Sequence, residues 1–402
     1  MESIPGVVMI SSVFHPSIGG AQRVVLETGR QLRECGVPVF VVTRHHRGLP
    51  RYEEVSGLPT YRVGRGDAGR VAAALSYILG ALWLLWRLRG RYRVLHCHQM
   101  ISPMTIGLIA RGLLRRPLVI MPHRSGEIGD VGVLTRRRPV TGRLRLAAAR
   151  RWGDAFVCIS PAIRAELHAI GVPEPRLWAI PNGVDVDRMR PVSPERRTAL
   201  RRELGLPDVP LGIFTGRLAP EKGLDLLIAA WPTLVASVPD ACLLLVGAGQ
   251  QRASLAAQAR RLNIADRIIF LGSRDDIALL LQASNVFILP SSAEGLPVAL
   301  LEAQACGLPC VATAVDGTIQ VIEDGKNGRL VPPGDLGALI RALIEAFTSP
   351  KAKAWGRRAR AEIHRQFALN AVVAQYLELY RALSPEFAAL APPAEMLKAR
   401  EL

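Results

Sequence analysis

The chain lacks any C-x-x-C pair. Its six cysteines, at positions 35, 97, 158, 242, 306 and 310, are scattered singly, which argues against a disulfide framework or a zinc ribbon and fits a reducing compartment. No basic segment precedes the early apolar run in M-E-S-I-P-G-V-V-M-I, so the N-terminus reads as a strand and not as a signal peptide. The one candidate membrane span, Val71 to Trp86, counts 16 residues, short of the roughly 18 to 20 that cross a bilayer; a buried or interfacial helix is expected there. The turn after the first strand does not carry the dinucleotide fingerprint G-x-G-x-x-G, which counts against a nicotinamide enzyme. No helix-turn-helix, zinc finger, aromatic RNA-binding motif or internal repeat is present.

Acidic residues are scarce in one half only. Residues 1–180 hold 26 Lys and Arg against 11 Asp and Glu, a net +15, whereas residues 181–402 hold 25 against 23. A basic field of this kind attracts anionic lipid or a phosphorylated substrate, and nucleic acid is not expected as a partner. Arg87, Arg89, Arg91 and Arg93 directly follow the apolar stretch, as suits a helix lying on an anionic leaflet.

At 402 residues the chain exceeds one hydrophobic core and suits two domains. Short β-branched runs alternate with amphipathic segments, the pattern of βαβ units and parallel sheets. Strands are expected at Gly6 to Ser11, Val37 to Thr43, Val94 to His98, Leu118 to His123 and Ala155 to Ser160 in the first half. The second half repeats the scheme at Leu211 to Gly216, Cys242 to Gly247, Ile268 to Gly272, Val286 to Pro290, Cys310 to Thr313 and Gly328 to Val331. The fold class is therefore α/β, with two Rossmann-like doubly wound domains at 1–185 and 190–365. The Pro/Gly-rich stretch Pro181 to Pro194 holds the boundary, and a late amphipathic segment, about 368–383, is expected to complete the first domain.

Ligands of open α/β sheets bind at the carboxyl ends of strands, so the residues just after each strand carry the argument. Gly19 and Gly20 open a helix, where backbone N–H groups can approach a phosphate, though a glycine pair at a helix start is more often a turn. G-R-L-A-P-E-K-G, Gly216 to Gly223, places Arg217 and Lys222 around one loop, where two cations could neutralise a diphosphate or merely be solvated. In S-S-A-E-G-L-P-V-A-L-L-E, Ser291 to Glu302, Glu294 sits in the loop after a strand, Pro297 suits the first helical position and Glu302 lies within the helix. Two carboxylates so placed can bind hydroxyls at two depths of one cleft.

The string E-G-L-P-V-A-L-L-E-A-Q-A-C-G-L-P-C-V-A-T, with G-R-L-A-P-E-K-G upstream and P-N-G-V-D at the linker, resembles the group 1 (family 4) glycosyltransferases of the GT-B fold over nearly the whole chain. The resemblance implies two domains facing across a cleft and a retaining, metal-independent sugar transfer from a nucleotide diphosphate sugar, which is a co-substrate, with no cofactor. It further implies that Glu302 takes the ribose hydroxyls, Glu294 the donor sugar, and Arg217 with Lys222 the diphosphate. Gly19 and Gly20 would close on the phosphates, Gly295, Leu296 and Val298 would meet the donor, and backbone groups of Gly272, Ser273 and Arg274 would read the base. His123 matches the family's active-site histidine; a lone histidine at a strand end is otherwise more often structural. The acceptor implied is a glycan or lipid-linked precursor, the location cytoplasmic, with peripheral attachment to the inner face of an anionic plasma membrane as its extension.

Arg124 stands where many relatives have an acid, and Gln320 replaces the usual acidic residue of the G-G-x-P-E segment, which leaves donor sugar and acceptor open. Asp185-Val-Asp187 looks like a D-x-D metal motif but belongs to the linker. His96 and His98 share a strand face and lack a third ligand, so no metal site is expected. A sugar-nucleotide epimerase or phosphorylase of the same fold, or a non-catalytic nucleotide-sugar-binding subunit, are the alternative readings; the intact Glu294, Glu302, Arg217 and Lys222 set argues against the last.

Overall fold

The structure is a computed structural model that describes residues 6–16, 19–66, 69–127, 129–137 and 139–388; Arg138 and the tail from 389 on lie outside them. The described residues divide into two compact units, with the division falling between Gly183 and Val184 and again between Ala368 and Leu369.

The first unit is built on β1 (Gly6–Ser11), β2 (Val39–Arg44), β3 (Tyr52–Val55), β4 (Leu58–Val63), β5 (Tyr92–His98), β6 (Leu118–Met121), β7 (Ala155–Cys158) and β8 (Leu177–Ala179). They form one sheet in the order β3-β4-β2-β1-β5-β6-β7-β8, parallel except for β3 against β4. Runs such as Val7-Val8-Met9-Ile10 are fully buried because helices cover both faces of a parallel sheet. Three of these eight strands were not expected from the sequence. β3 and β4 make a hairpin through Ser56 and Gly57, both at positive φ (49° and 80°), the conformation that matches strand twist in a two-residue turn. β8 is a three-residue edge strand. The end of the fourth expected strand is also corrected: β6 stops at Met121, so His123 lies in the loop beyond it.

The crossovers from β4 to β5, β5 to β6 and β6 to β7 all step in one direction along the sheet. Right-handed connections therefore place the helices Arg70–Arg87, Ser102–Leu114 and Pro139–Trp152 on the same face, and they pack side by side there. The apolar stretch forms an 18-residue helix, and no helix of the described residues is long and apolar enough to cross a membrane. The helix Leu369–Leu383 belongs to this first unit and lies against the opposite face, with the Tyr376 hydroxyl 3.5 Å from the Met121 sulfur.

The second unit holds β9 (Leu211–Thr215), β10 (Cys242–Val246), β11 (Ile268–Gly272), β12 (Val286–Leu289), β13 (Cys310–Thr313) and β14 (Arg329–Val331). All pairings are parallel, in the order β11-β10-β9-β12-β13-β14. The chain reverses its direction of travel between β9 and β12. That switch point opens a crevice at the carboxyl ends of the strands, where doubly wound sheets bind their ligands.

Candidate active site

Each of the strands at the second unit's switch point ends in one of the motif segments. After β9 comes Arg217, then the short turn Pro220–Lys222, then Gly223 at φ +61°. A Cβ at Gly223 would stand 2.2 Å from the Pro290 carbonyl oxygen, so the close approach of this loop to the exit of β12 requires glycine. The Ser292 N–H donates to the Glu221 carbonyl at 2.9 Å, and Lys222 Nζ donates to Glu294 Oε1 at 2.6 Å. Two residues 72 positions apart are thereby held as one pair, with the Lys222 and Glu294 side chains only 17% and 10% exposed. Arg217 is half exposed, and its Nη2 donates to Glu221 Oε1 at 2.6 Å.

The neighbouring exits are joined in series. Gly216 N–H donates to the Val246 carbonyl at 2.9 Å, and Gly247 N–H to the Gly272 carbonyl at 2.7 Å. A Cβ at Gly247 would lie 1.9 Å from the Gly216 oxygen. Gly247 was not singled out from the sequence, although a glycine ending an apolar strand was its visible signal. Ser273 and Arg274 follow β11; the Arg274 guanidinium forks onto the Asp276 carboxylate, and this hydrogen bonding holds the carboxyl below its ordinary range. Gly272 offers backbone at this rim, and Ser273 is exposed beside it.

The helix that follows β12 runs Val298–Ala305, one residue later than expected, because Pro297 occupies the N-cap and not the first helical position. Its missing N–H is equally harmless there. The first N–H groups, from Val298 and Ala299, have no acceptor inside the helix and sit at its positive end, beside the Gly295 and Leu296 loop. Glu302 is buried, 4% exposed, in a helix otherwise made of Val, Ala, Leu and Gln. Burial, and then the Glu302 carboxylate, push the Cys306 thiol up to about 12, so Cys306 is an inert neighbour.

Gly20, which groups with the second unit, opens the helix Gly20–Glu34, and Gly19 precedes it. Among the described residues, a Cβ at Gly20 would meet nothing within 4 Å. His123 stands past β6, and its N–H donates to Asp130 Oδ2 at 2.9 Å, while Asp130 Oδ1 accepts the Met100 N–H at 2.9 Å. Asp130, which the sequence gave no reason to single out, thus ties the loops after β5 and β6 together. His123 Nε2 is 3.2 Å from His98 Nδ1, so a third imidazole joins His96 and His98 from the loop after β6. Burial, then the charge of Arg124, outweighs Asp130 and takes His123 down to about 4. Among the described residues no group of three or more His, Cys, Asp or Glu side chains could hold a metal ion. Asp185 Oδ1 caps its own turn by accepting the N–H groups of Asp187 and Arg188 at 3.1 and 2.9 Å.

The described group 1 glycosyl transferase family matches residues 196–362, and glycosyltransferase family 4 matches residues 18–188. Among curated proteins the chain is 30% identical to the phosphatidyl-myo-inositol mannosyltransferase of Mycobacterium leprae over 91% of this chain and 94% of that one. It is 31% identical to the D-inositol 3-phosphate glycosyltransferase of Geodermatophilus obscurus over 81% and 78%. Among solved structures, Anabaena HepE in complex with UDP-glucose superposes with a TM-score of 0.77 at 23% identity, covering 94% of this chain and all of that one, a likeness of fold.

Proposed function

The chain belongs to the group 1 glycosyltransferases of the family 4 type, with the GT-B fold, and from that premise we propose a specific reaction. It moves a sugar from a nucleoside diphosphate sugar to a hydroxyl of a lipid-linked or cell-surface glycan precursor, with retention of configuration and without a metal ion. The observation that carries the donor half is the Lys222–Glu294 pair at the switch point, with Arg217 on the same loop as Lys222 and the Val298 helix N-terminus following Glu294. Lys222, Arg217 and the backbone at Gly295, Leu296 and Val298 bind the diphosphate, Glu294 the sugar hydroxyls and buried Glu302 the ribose. The backbone of Gly272 and Ser273, beside Arg274, meets the base, and Gly19 with Gly20 leaves room for phosphate.

In the transfer step the bond from the anomeric carbon to the phosphate oxygen breaks while a bond to the acceptor oxygen forms on the same face. The acceptor proton passes to the departing phosphate, so no enzyme base is consumed. The protein's share is electrostatic: a well-placed donor facing the charge that grows on the diphosphate contributes roughly 3 to 4 kcal/mol. His123 acts in this step as a hydrogen-bonding group.

The acceptor half rests on the helices Arg70–Arg87, Ser102–Leu114 and Pro139–Trp152. Together they contain seven arginines and no aspartate or glutamate. Large apolar side chains stand exposed on them, among them Leu79, Trp83, Trp86, Leu113, Leu144 and Trp152. Arg87 and Arg89 lie over the Trp83 and Trp86 rings, and an open groove of about 690 Å³ between the second and third helices is lined by Leu108, Leu113, Leu144 and Trp152 with Arg111 and Arg115. Apolar side chains interleaved with cations of one sign fit an anionic lipid surface, and the Mycobacterium leprae relative is named a phosphatidyl-myo-inositol mannosyltransferase.

The test is product analysis. The protein, nucleotide sugars and acceptors in anionic lipid are incubated with EDTA, and the new glycosidic linkage is assigned by the anomeric coupling in its NMR spectrum. A product that keeps the donor's configuration is expected; an inverted product, or turnover restored only by manganese or magnesium, would contradict the reading.

A further inference from the structure

Strand β5 alternates its side chains between the two faces of the first sheet. Cys97 points to the face of the Ser102–Leu114 helix, with its sulfur 3.1 Å from the Pro103 carbonyl, while His96 and His98 point to the other. On that other face stands a column of four side chains. The Tyr380 hydroxyl, from the helix Leu369–Leu383, is 2.8 Å from His96 Nδ1. The His96 and His98 rings stack with centroids 4.4 Å apart, and His98 Nδ1 lies 3.2 Å from His123 Nε2. His96 and His98 are wholly buried, and among the described residues the Nε2 atom of each has no hydrogen-bond partner.

The unpartnered nitrogens decide which way the protons point. Burial keeps all three rings neutral, helped at His96 and His98 by the neighbouring imidazoles and at His123 by Arg124 against Asp130, with His96 lowered to about 3. A neutral imidazole has one N–H and one lone pair. A buried N–H with no acceptor is rarer and more costly than a lone pair with no donor, so the unpartnered Nε2 of His98 is its bare nitrogen. His98 Nδ1–H then donates to His123 Nε2. With Nε2 acting as acceptor, neutral His123 carries its proton on Nδ1. Asp130, holding the backbone N–H groups of Met100 and His123, keeps the two loops in register for this contact.

We propose that His98 is a positioning residue that fixes His123 as its Nδ1–H tautomer, so that His123 brings a hydrogen-bond donor, and not a base, to the sugar-transfer step. The catalytic part rests on the role given to His123 above; the tautomer itself does not. It accords with a reaction in which the departing phosphate receives the acceptor's proton.

The experiment is long-range proton–nitrogen correlation NMR on the full chain labelled at histidine nitrogens, near neutral pH, with His123 assigned through His123→Gln. Wild type is expected to show His123 protonated at Nδ1. His98→Leu is expected to move a large share of that proton to Nε2 and to lower kcat at least tenfold with little change in KM for the donor. His98→Asn, whose amide N–H can stand where Nδ1–H stood, is expected to restore both. A wild-type His123 protonated at Nε2 would overturn the proposal, and so would a tautomer and kcat indifferent to His98→Leu. Should His98→Leu fail to fold, the wild-type and His98→Asn spectra still decide. An Nδ1–H tautomer in wild type together with full activity in His123→Gln would instead remove the role given to His123 in the transfer.

Discussion

At the scale of single residues, the donor reading divides labour between two carboxylates. Glu302 is buried beneath the helix start and Glu294 is paired to Lys222, so their removal should have different consequences. Losing a hydrogen bond to a charged group costs about 1.5 to 3 kcal/mol, so Glu302→Ala should weaken nucleoside diphosphate binding roughly 10- to 100-fold. Glu294→Gln should leave that affinity nearly unchanged and lower kcat, a split that steady-state kinetics at saturating donor would register. The histidine column makes a second prediction. These imidazoles are neutral when folded, His96 lowered to about 3 and His123 to about 4, but take up protons near 6.5 when unfolded. The unfolded chain therefore binds more protons below pH 6.5, and stability must fall as pH drops from there toward 4. Urea unfolding at a series of pH values should show that loss, and His98→Asn, with one such group fewer, should show less of it.

At the scale of elements, the loop after β9 and the loop after β12 form one device whose joint is Gly223. An alanine there meets both a left-handed conformation, costing about 1 to 2 kcal/mol, and the Pro290 carbonyl. Gly223→Ala should lower the thermal midpoint by several degrees and weaken donor binding at the same time, as differential scanning calorimetry and titration would register. The strands that bear the site were legible because a parallel strand buried on both faces is a continuous apolar run ending in a glycine or polar residue. Tyr52 to Val55 was not, since an antiparallel edge strand exposes Tyr52 and Glu54 and has no core pattern to betray it. Ser56-Gly57 was the available signal, a turn dipeptide between two short runs. The Lys222–Glu294 contact and the His98–His123 contact could not be read from spacing, because each depends on which strands the topology makes neighbours. That His96 and His98 share a face was legible from the strand's period of two.

At the scale of the whole molecule, the charge of residues 1–180 has a location as well as a sum: three neighbouring helices carry arginines, exposed tryptophans and leucines and no acid. Each arginine near an anionic leaflet contributes about 1 kcal/mol, so attachment should be salt-sensitive. Liposome co-sedimentation should recover the protein on phosphatidylglycerol and not on phosphatidylcholine vesicles, and Leu113→Glu with Trp86→Glu should reduce recovery while sparing the thermal midpoint, because both side chains are more than half exposed. Equal recovery on the two lipids would leave a soluble acceptor as the better account. The claim on which the rest depends is that the switch point of the second sheet holds a nucleoside diphosphate with protein cations and buried Glu302. Isothermal titration of UDP, GDP and ADP into the full chain in EDTA measures it directly. The account predicts that at least one binds without metal and that Glu302→Ala weakens that one at least tenfold; binding that needs added manganese or magnesium, or equal affinity in wild type and Glu302→Ala, would contradict it.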